Sequence, residues 1–152
     1  MKYIFFLCFS FSFLISCNNK PVISIENTIT QPWLYESPLV FQLNISDNNK
    51  TYDLLLNLTH STDFKYKNLY VKITTEFPDN TKVEDVLSMN LIGNSGIFIG
   101  DCNSKTCSIN ISLEEKFKFK SSGIHKLTIY QNSRTDNLSG ILSGKLMLFY
   151  AK

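Results

Sequence analysis

From Leu39 onward the chain alternates apolar and polar residues with a period of two. Leu39, Phe41, Leu43 and Ile45 alternate with Val40, Gln42 and Asn44, and after the turn Asp47-Asn48-Asn49-Lys50 come Tyr52, Leu54, Leu56 and Leu58. Residues that repeat every second position share one face of a strand, so each run predicts a half-buried β-strand, and the short polar turn predicts that the two form a hairpin. Leu69, Val71, Ile73, Thr75 and Phe77 continue the pattern until Pro78-Asp79-Asn80 stops it. Ile109, Ile111 and Leu113 repeat it, as do Leu127 and Ile129. The last run, Ile141 to Tyr150, ends in Leu146-Met147-Leu148-Phe149-Tyr150, apolar on both faces as an interior strand would be. No segment after the first sixteen residues carries a 3.6-residue apolar stripe with caps. The expectation is an all-β fold, an antiparallel β-sandwich of about seven to eight strands over residues 32–152.

The N-terminus follows a different rule. Lys2 precedes an unbroken apolar-rich run from Ile4 to Ile15, and Leu14-Ile15-Ser16-Cys17 closes it. A charged start, a short apolar core and a small residue before a processing point are the marks of an export signal. The run is too short for a bilayer core of roughly 30 Å, which calls for about 20 apolar residues. Residues 1–16 are therefore expected to be a cleaved signal peptide. Leu14-Ile15-Ser16-Cys17 resembles the lipobox of bacterial lipoproteins, in which the cysteine is acylated and becomes the new N-terminus. Cys17 would then anchor the chain to membrane lipid, each buried acyl methylene contributing about 0.8 kcal/mol. The plainer alternative is an ordinary signal whose Cys17 enters a disulfide. Residues 17–31, polar with Pro21 near the start, suit a tether able to become a first edge strand.

With residues 1–16 removed, 136 residues remain, enough for one domain. The mature chain carries 14 Lys or Arg against 13 Asp or Glu, so no net field draws it to nucleic acid. Of the four cysteines, Cys8 departs with the signal and Cys17 takes lipid, leaving Cys102 and Cys107. Four polar turn-type residues separate these two, which suits a disulfide across the neck of a short hairpin, worth about 2 kcal/mol in the chain-entropy model. A redox pair favours the tighter C-x-x-C spacing, and a zinc site needs two further ligands.

Catalytic chemistry finds little footing. His60 and His125 lie 65 residues apart and neither has a partner at ligand spacing, so packed or solvated histidines are expected. Glu84-Asp85 and Glu114-Glu115 are sequence neighbours, which a strand points to opposite faces. Gly93-Asn94-Ser95-Gly96 lacks the lysine of a phosphate loop and the G-x-S-x-G order of hydrolases, and reads as a turn. Lys116-Phe117-Lys118-Phe119-Lys120 would place three lysines on one face and two phenylalanines on the other. It is either a solvated edge guard or a contact for lipid headgroups or an acidic partner. The sequons at Asn44, Asn49, Asn57, Asn110 and Asn137 are chance products of high asparagine content if the chain is a bacterial lipoprotein. No catalytic residue, cofactor or metal is expected.

The order of features resembles the gliding-motility lipoprotein GldH family of Bacteroidota. The resemblance rests on Cys17 followed by Trp33, on Tyr52-Asp53-Leu54-Leu55-Leu56-Asn57-Leu58, on Asp63-Phe64-Lys65-Tyr66-Lys67-Asn68-Leu69-Tyr70, and on Phe77-Pro78 with Val83 to Leu87. The Cys102–Cys107 pair stands outside it. The resemblance implies a non-enzymatic, membrane-anchored component of the gliding machinery, linked to type IX secretion, whose partners are other envelope proteins of that apparatus. Asn18-Asn19-Lys20 lacks the acidic residues that resemble a surface-export tag, which favours the periplasmic face of the outer membrane. Two rival expectations stand beside it. A carbohydrate- or small-ligand-binding lipoprotein would line a groove with Trp33, Tyr35, Tyr66 and Tyr70. An enzyme would bring Asp53, His60, Asp101 and His125 within hydrogen-bond reach.

Overall fold

The computed structural model describes residues 20–152. Among them nine strands form two antiparallel sheets. They are β1 (Ile23–Thr28), β2 (Leu39–Ile45), β3 (Tyr52–Ser61), β4 (Asn68–Glu76), β5 (Lys82–Asn90), β6 (Asp101–Cys102), β7 (Thr106–Phe117), β8 (Gly123–Gln131) and β9 (Ile141–Tyr150). One sheet has the order β1-β9-β3-β7-β6 and the other β2-β8-β4-β5. The all-β sandwich stands as the alternation predicts. The count of nine, against the expected seven to eight, has simple origins. Part of the tether, Ile23–Thr28, pairs along β9 as an edge strand, and β6 is only two residues long.

The core forms where the inward faces meet. Leu39, Phe41, Leu43 and Ile45 of β2 are buried while Val40, Gln42 and Asn44 are exposed. In β3, Tyr52, Leu54, Leu56, Leu58 and His60 point inward, and Leu146 and Leu148 of β9 close the same layer. As its two-sided apolar sequence predicts, β9 is interior, flanked by β1 and β3.

One expectation fails. β2 and β3 are not a hairpin: β2 pairs with β8 in the four-stranded sheet, and β3 pairs with β7 and β9 in the other. The Asp47–Lys50 turn therefore arches from sheet to sheet. Alternation sets which face of a strand is buried, and both arrangements bury the same face. The turn at Pro78-Asp79-Asn80 does close a hairpin, β4–β5: Phe77 N–H donates to Thr81 O at 2.9 Å and Asn80 takes a φ of 65°. Asp79 accepts from the Thr81 hydroxyl and amide, which hold its carboxyl below the ordinary range. Gly93–Gly96 is the expected turn, with Gly96 N–H donating to Gly93 O at 3.0 Å. Cys102 and Cys107 are disulfide-bonded across the neck of the β6–β7 hairpin.

Candidate functional site

The two long sides of the sandwich differ. On the β1–β2 side the sheets are joined by Asn27 Nδ2 of β1, which donates to Val40 O of β2 at 2.8 Å. Gln31, just past β1, uses its side-chain amide like a length of main chain to prolong the β1–β9 pairing within its own sheet. Its Nε2 donates to Ile141 O and its Oε1 accepts from Gly140 N–H at 2.9 Å. On the β5–β7 side, among the described residues, no hydrogen bond or ion pair joins the two strands. Between them lies a cleft of about 540 Å³ with an apolar floor that includes Leu54, Ile73, Leu87, Leu113 and Leu127.

The Lys-Phe stretch forms one rim. β7 loses register with β3 opposite Tyr52–Leu55, and Lys116 adopts a φ of 49°. Asp53 fixes this bulge by accepting from Lys116 N–H at 2.8 Å. Phe117 and Phe119 turn inward against Tyr52, with ring centroids 6.4 and 5.4 Å away, and Phe119 meets His125 at 4.7 Å. Lys116, Lys118 and Lys120 are exposed and have no ion-pair partner among the described residues. The expected division of faces is therefore realised, although β7 ends at Phe117. Val83, Asp85 and Leu87 of β5 form the opposite rim. Tyr52 is buried beneath the cluster, its hydroxyl donating to Asp47 O at 2.6 Å, and burial raises its pKa, helped by Tyr150 and Asp47.

The residues an enzyme would need stay apart. His60 lies at the far end of β3 from Tyr52, against Phe98 and Phe64, while His125 sits beside Phe119 and Phe77. Each histidine is buried with one ring nitrogen facing a carbonyl: His60 Nδ1 lies 2.9 Å from Ser61 O, and His125 Nε2 lies 3.0 Å from Ser121 O. A nitrogen facing a carbonyl donates a hydrogen to it, so each is a packed histidine held by one hydrogen bond. Asp53 is occupied at the bulge, and exposed Asp101 pairs with Ser108 at the disulfide hairpin. Among the described residues no three His, Cys, Asp or Glu side chains gather to hold a metal ion.

The aromatic groove expected of a ligand-binding protein is half present. Trp33 is wholly buried, its indole donating to Ser37 O at 2.8 Å, and Tyr35 is held by its hydroxyl to Ser133 O. Tyr66 and Tyr70 are exposed and line a smaller cleft of about 370 Å³ with Arg134 and Thr135. Cys17 lies outside the described residues. Sequence reasoning missed the apolar cleft, because its β5 rim breaks alternation at Asp85 and its β7 rim lies thirty residues further along. The faint signal was the inward Phe117–Phe119 pair, which has too little of a strand opposite to cover it.

The described residues form an all-β sandwich joined along one side and parted along the other, with an apolar cleft and three lysines without ion-pair partners at the parting. The chain belongs to the GldH lipoprotein family, whose model matches residues 22–144. It is 28% identical over 131 residues to the gliding motility lipoprotein GldH homolog of Christiangramia forsetii, covering 86% of this chain and 80% of that protein. It is 26% identical over 121 residues to the gliding motility lipoprotein GldH of Flavobacterium johnsoniae, covering 80% and 75%. Among solved structures, a portion of a family GH115 4-O-methyl-α-glucuronidase overlays with a TM-score of 0.48 at 13% identity, covering 90% of this chain and 18% of the enzyme.

Proposed function

We propose that the protein is a non-enzymatic, lipid-anchored component of the gliding motility machinery, linked to type IX secretion and acting through protein–protein contacts. Membership of the GldH family across residues 22–144 carries this reading. In it, residues 1–16 are removed as a signal peptide, acylated Cys17 holds the chain at the periplasmic face of the outer membrane, and the β-domain meets other envelope proteins of the apparatus. Deletion of the gene in its host is expected to abolish colony spreading and to impair adhesin delivery and secretion, with restoration by the full chain. Normal spreading, delivery and secretion in the deletion strain would overturn the reading. Cys17→Ser is expected to leave the protein unlipidated and released from membrane fractions.

One observation favours a second reading, binding of a carbohydrate or other small ligand: Tyr66, Tyr70 and Arg134 share one cleft. Stacking faces beside a cationic donor suit an acidic sugar. That reading expects binding on a panel of acidic glycans that Tyr70→Ala removes, and a panel with no binding sinks it.

A further inference from the structure

We propose that the free edge of β5 is a docking site for an extended segment of a partner protein, which adds to the four-stranded sheet and places alternate apolar side chains in the neighbouring cleft. The inference deepens the protein-contact reading above and rests on it. The main chain comes first. At the two ends of the β4–β5 ladder, Phe77 N–H donates to Thr81 O and Leu91 N–H donates to Lys67 O. Antiparallel pairs alternate between bonded and non-bonded, and this ladder runs from Asn68↔Asn90 to Glu76↔Lys82 without a register shift. The odd-numbered residues of β5 therefore bond to β4. Lys82, Glu84, Val86, Ser88 and Asn90 turn their N–H and C=O groups to the free side, where the described residues provide no neighbour.

Free edges invite pairing, and proteins commonly blunt them with bulges, prolines or lysines. β7, across the cleft, shows such guards: two register shifts, Lys116 at positive φ, and Lys118 and Lys120 just past its end. β5 has nine residues in unbroken register with neither proline nor bulge; its charges, Lys82, Glu84 and the inward-pointing Asp85, lie in its first half, and from its centre on, starting at Val86, 63% exposed, it carries none. A segment hydrogen-bonded to this edge would direct every second side chain inward, over Leu87 and toward Phe117 and Phe119, into the apolar cleft of about 540 Å³. Main-chain bonds supply affinity in such strand addition, and pockets for alternate side chains supply specificity. A lipid chain would fill the cleft and leave the row of amides and carbonyls unpaired, so a polypeptide fits both features at once. The charges state its composition further. Asp85 and Glu114 lie on the lining while Lys118 and Lys120 stand unpaired at one end. The segment is apolar at alternate positions and acidic where it passes those two lysines.

The test uses the full lipidated chain, purified from its own envelope with its bound proteins, and compares amide hydrogen exchange in that complex with the lipidated chain alone in detergent micelles. Exchange at Glu84, Val86 and Ser88 is expected to slow by about tenfold or more in the complex, with the Val40 and Gln42 amides of β2 unchanged. Val86→Pro removes only an outward N–H, so the variant is expected to fold with a near-native melting temperature and to lose the partner. Val86→Lys, which keeps the amide and crowds the edge, guards against a misfolded proline variant and is expected to weaken capture at least severalfold. Three results would overturn the proposal: complex formation unaffected by either variant, protection that appears in the isolated chain as its concentration rises, which marks a second copy, or protection produced by phospholipid vesicles alone. Retained spreading with both variants would remove the docking edge and leave the motility reading standing, whereas normal spreading in the deletion strain removes both.

Discussion

The β1–β2 side and the β5–β7 side of the sandwich are made from the same kind of strand, yet only the first is shut. On the shut side Gly144 of β9 makes room for β2: a Cβ there would lie 2.7 Å from Leu39 Cδ1 and 3.7 Å from Phe41 Cζ. With no side chain at that point the sheets approach closely enough for Asn27 to bond across. On the parted side, among the described residues, β5 pairs only with β4, and its inward residues Val83 and Asp85 are exposed where their counterparts on β2 are buried. The contrast teaches that strands of the same alternating kind can close one side of a sandwich and leave the other side open over an apolar cleft.

Mutations can break that contrast. Trp33 plugs the end of the shut side, bridged to Leu138 and wholly buried, so Trp33→Ala is expected to cost about 3–5 kcal/mol, read as a large fall in denaturation midpoint. A matched pair comes next. Leu39→Ala is expected to cost about 2–5 kcal/mol and the half-buried Leu87→Ala less than about 1 kcal/mol, because the second site already faces an open cleft. Equal losses by urea denaturation would show that the β5 side carries as much stability as the other. Gly144→Val, which overpacks the close approach, is expected to cost about 1–3 kcal/mol and to loosen the β1–β2 stitching, visible as faster exchange in β1.

The smallest expected effect concerns how β5 is held. Glu76 of β4 reaches Lys82 of β5 at 3.3 Å and Lys126 of β8 at 3.4 Å, and these partners, Lys82 foremost, lower its pKa from the ordinary 4.5. A carboxyl with a depressed folded pKa stabilises the fold above its unfolded value, and that contribution disappears as pH falls through the folded one. The difference in melting temperature between the native chain and Glu76→Gln should thus be present at neutral pH and close as pH falls below the ordinary 4.5 and through the depressed folded pKa. A difference that persists at low pH would show that the triad does not act through charge.

How far the sequence foretold all this depended on how fully each strand was buried. β2 and β3 were legible residue by residue, since every second side chain enters the core. β5 was not, because its inward positions include Asp85 and its exposed ones include Val86, so no period of two survives. The inward turn of Phe117 and Phe119 was legible as alternation, but the cleft they border needs β5 on its other side, and nothing local places it there. The expected convergence of Trp33 with the exposed tyrosines failed for a similar reason: an indole looks alike in sequence whether it plugs a core or lines a groove, and contact with Leu138, far along the chain, decided which.

The sequence by itself determined the strand faces, the turn at Pro78–Asn80, the Cys102–Cys107 hairpin, the marks of export and lipidation, and the family likeness, all of which rest on neighbouring residues or short motifs. The tertiary structure decided which strands share a sheet, that the Asp47–Lys50 turn is an arch, and that one side of the sandwich is stitched while the other is parted. The reason is physical. Alternation fixes which face of a strand leaves water, a demand each strand satisfies locally, whereas the choice of hydrogen-bonding neighbour at each edge depends on every other strand competing for it.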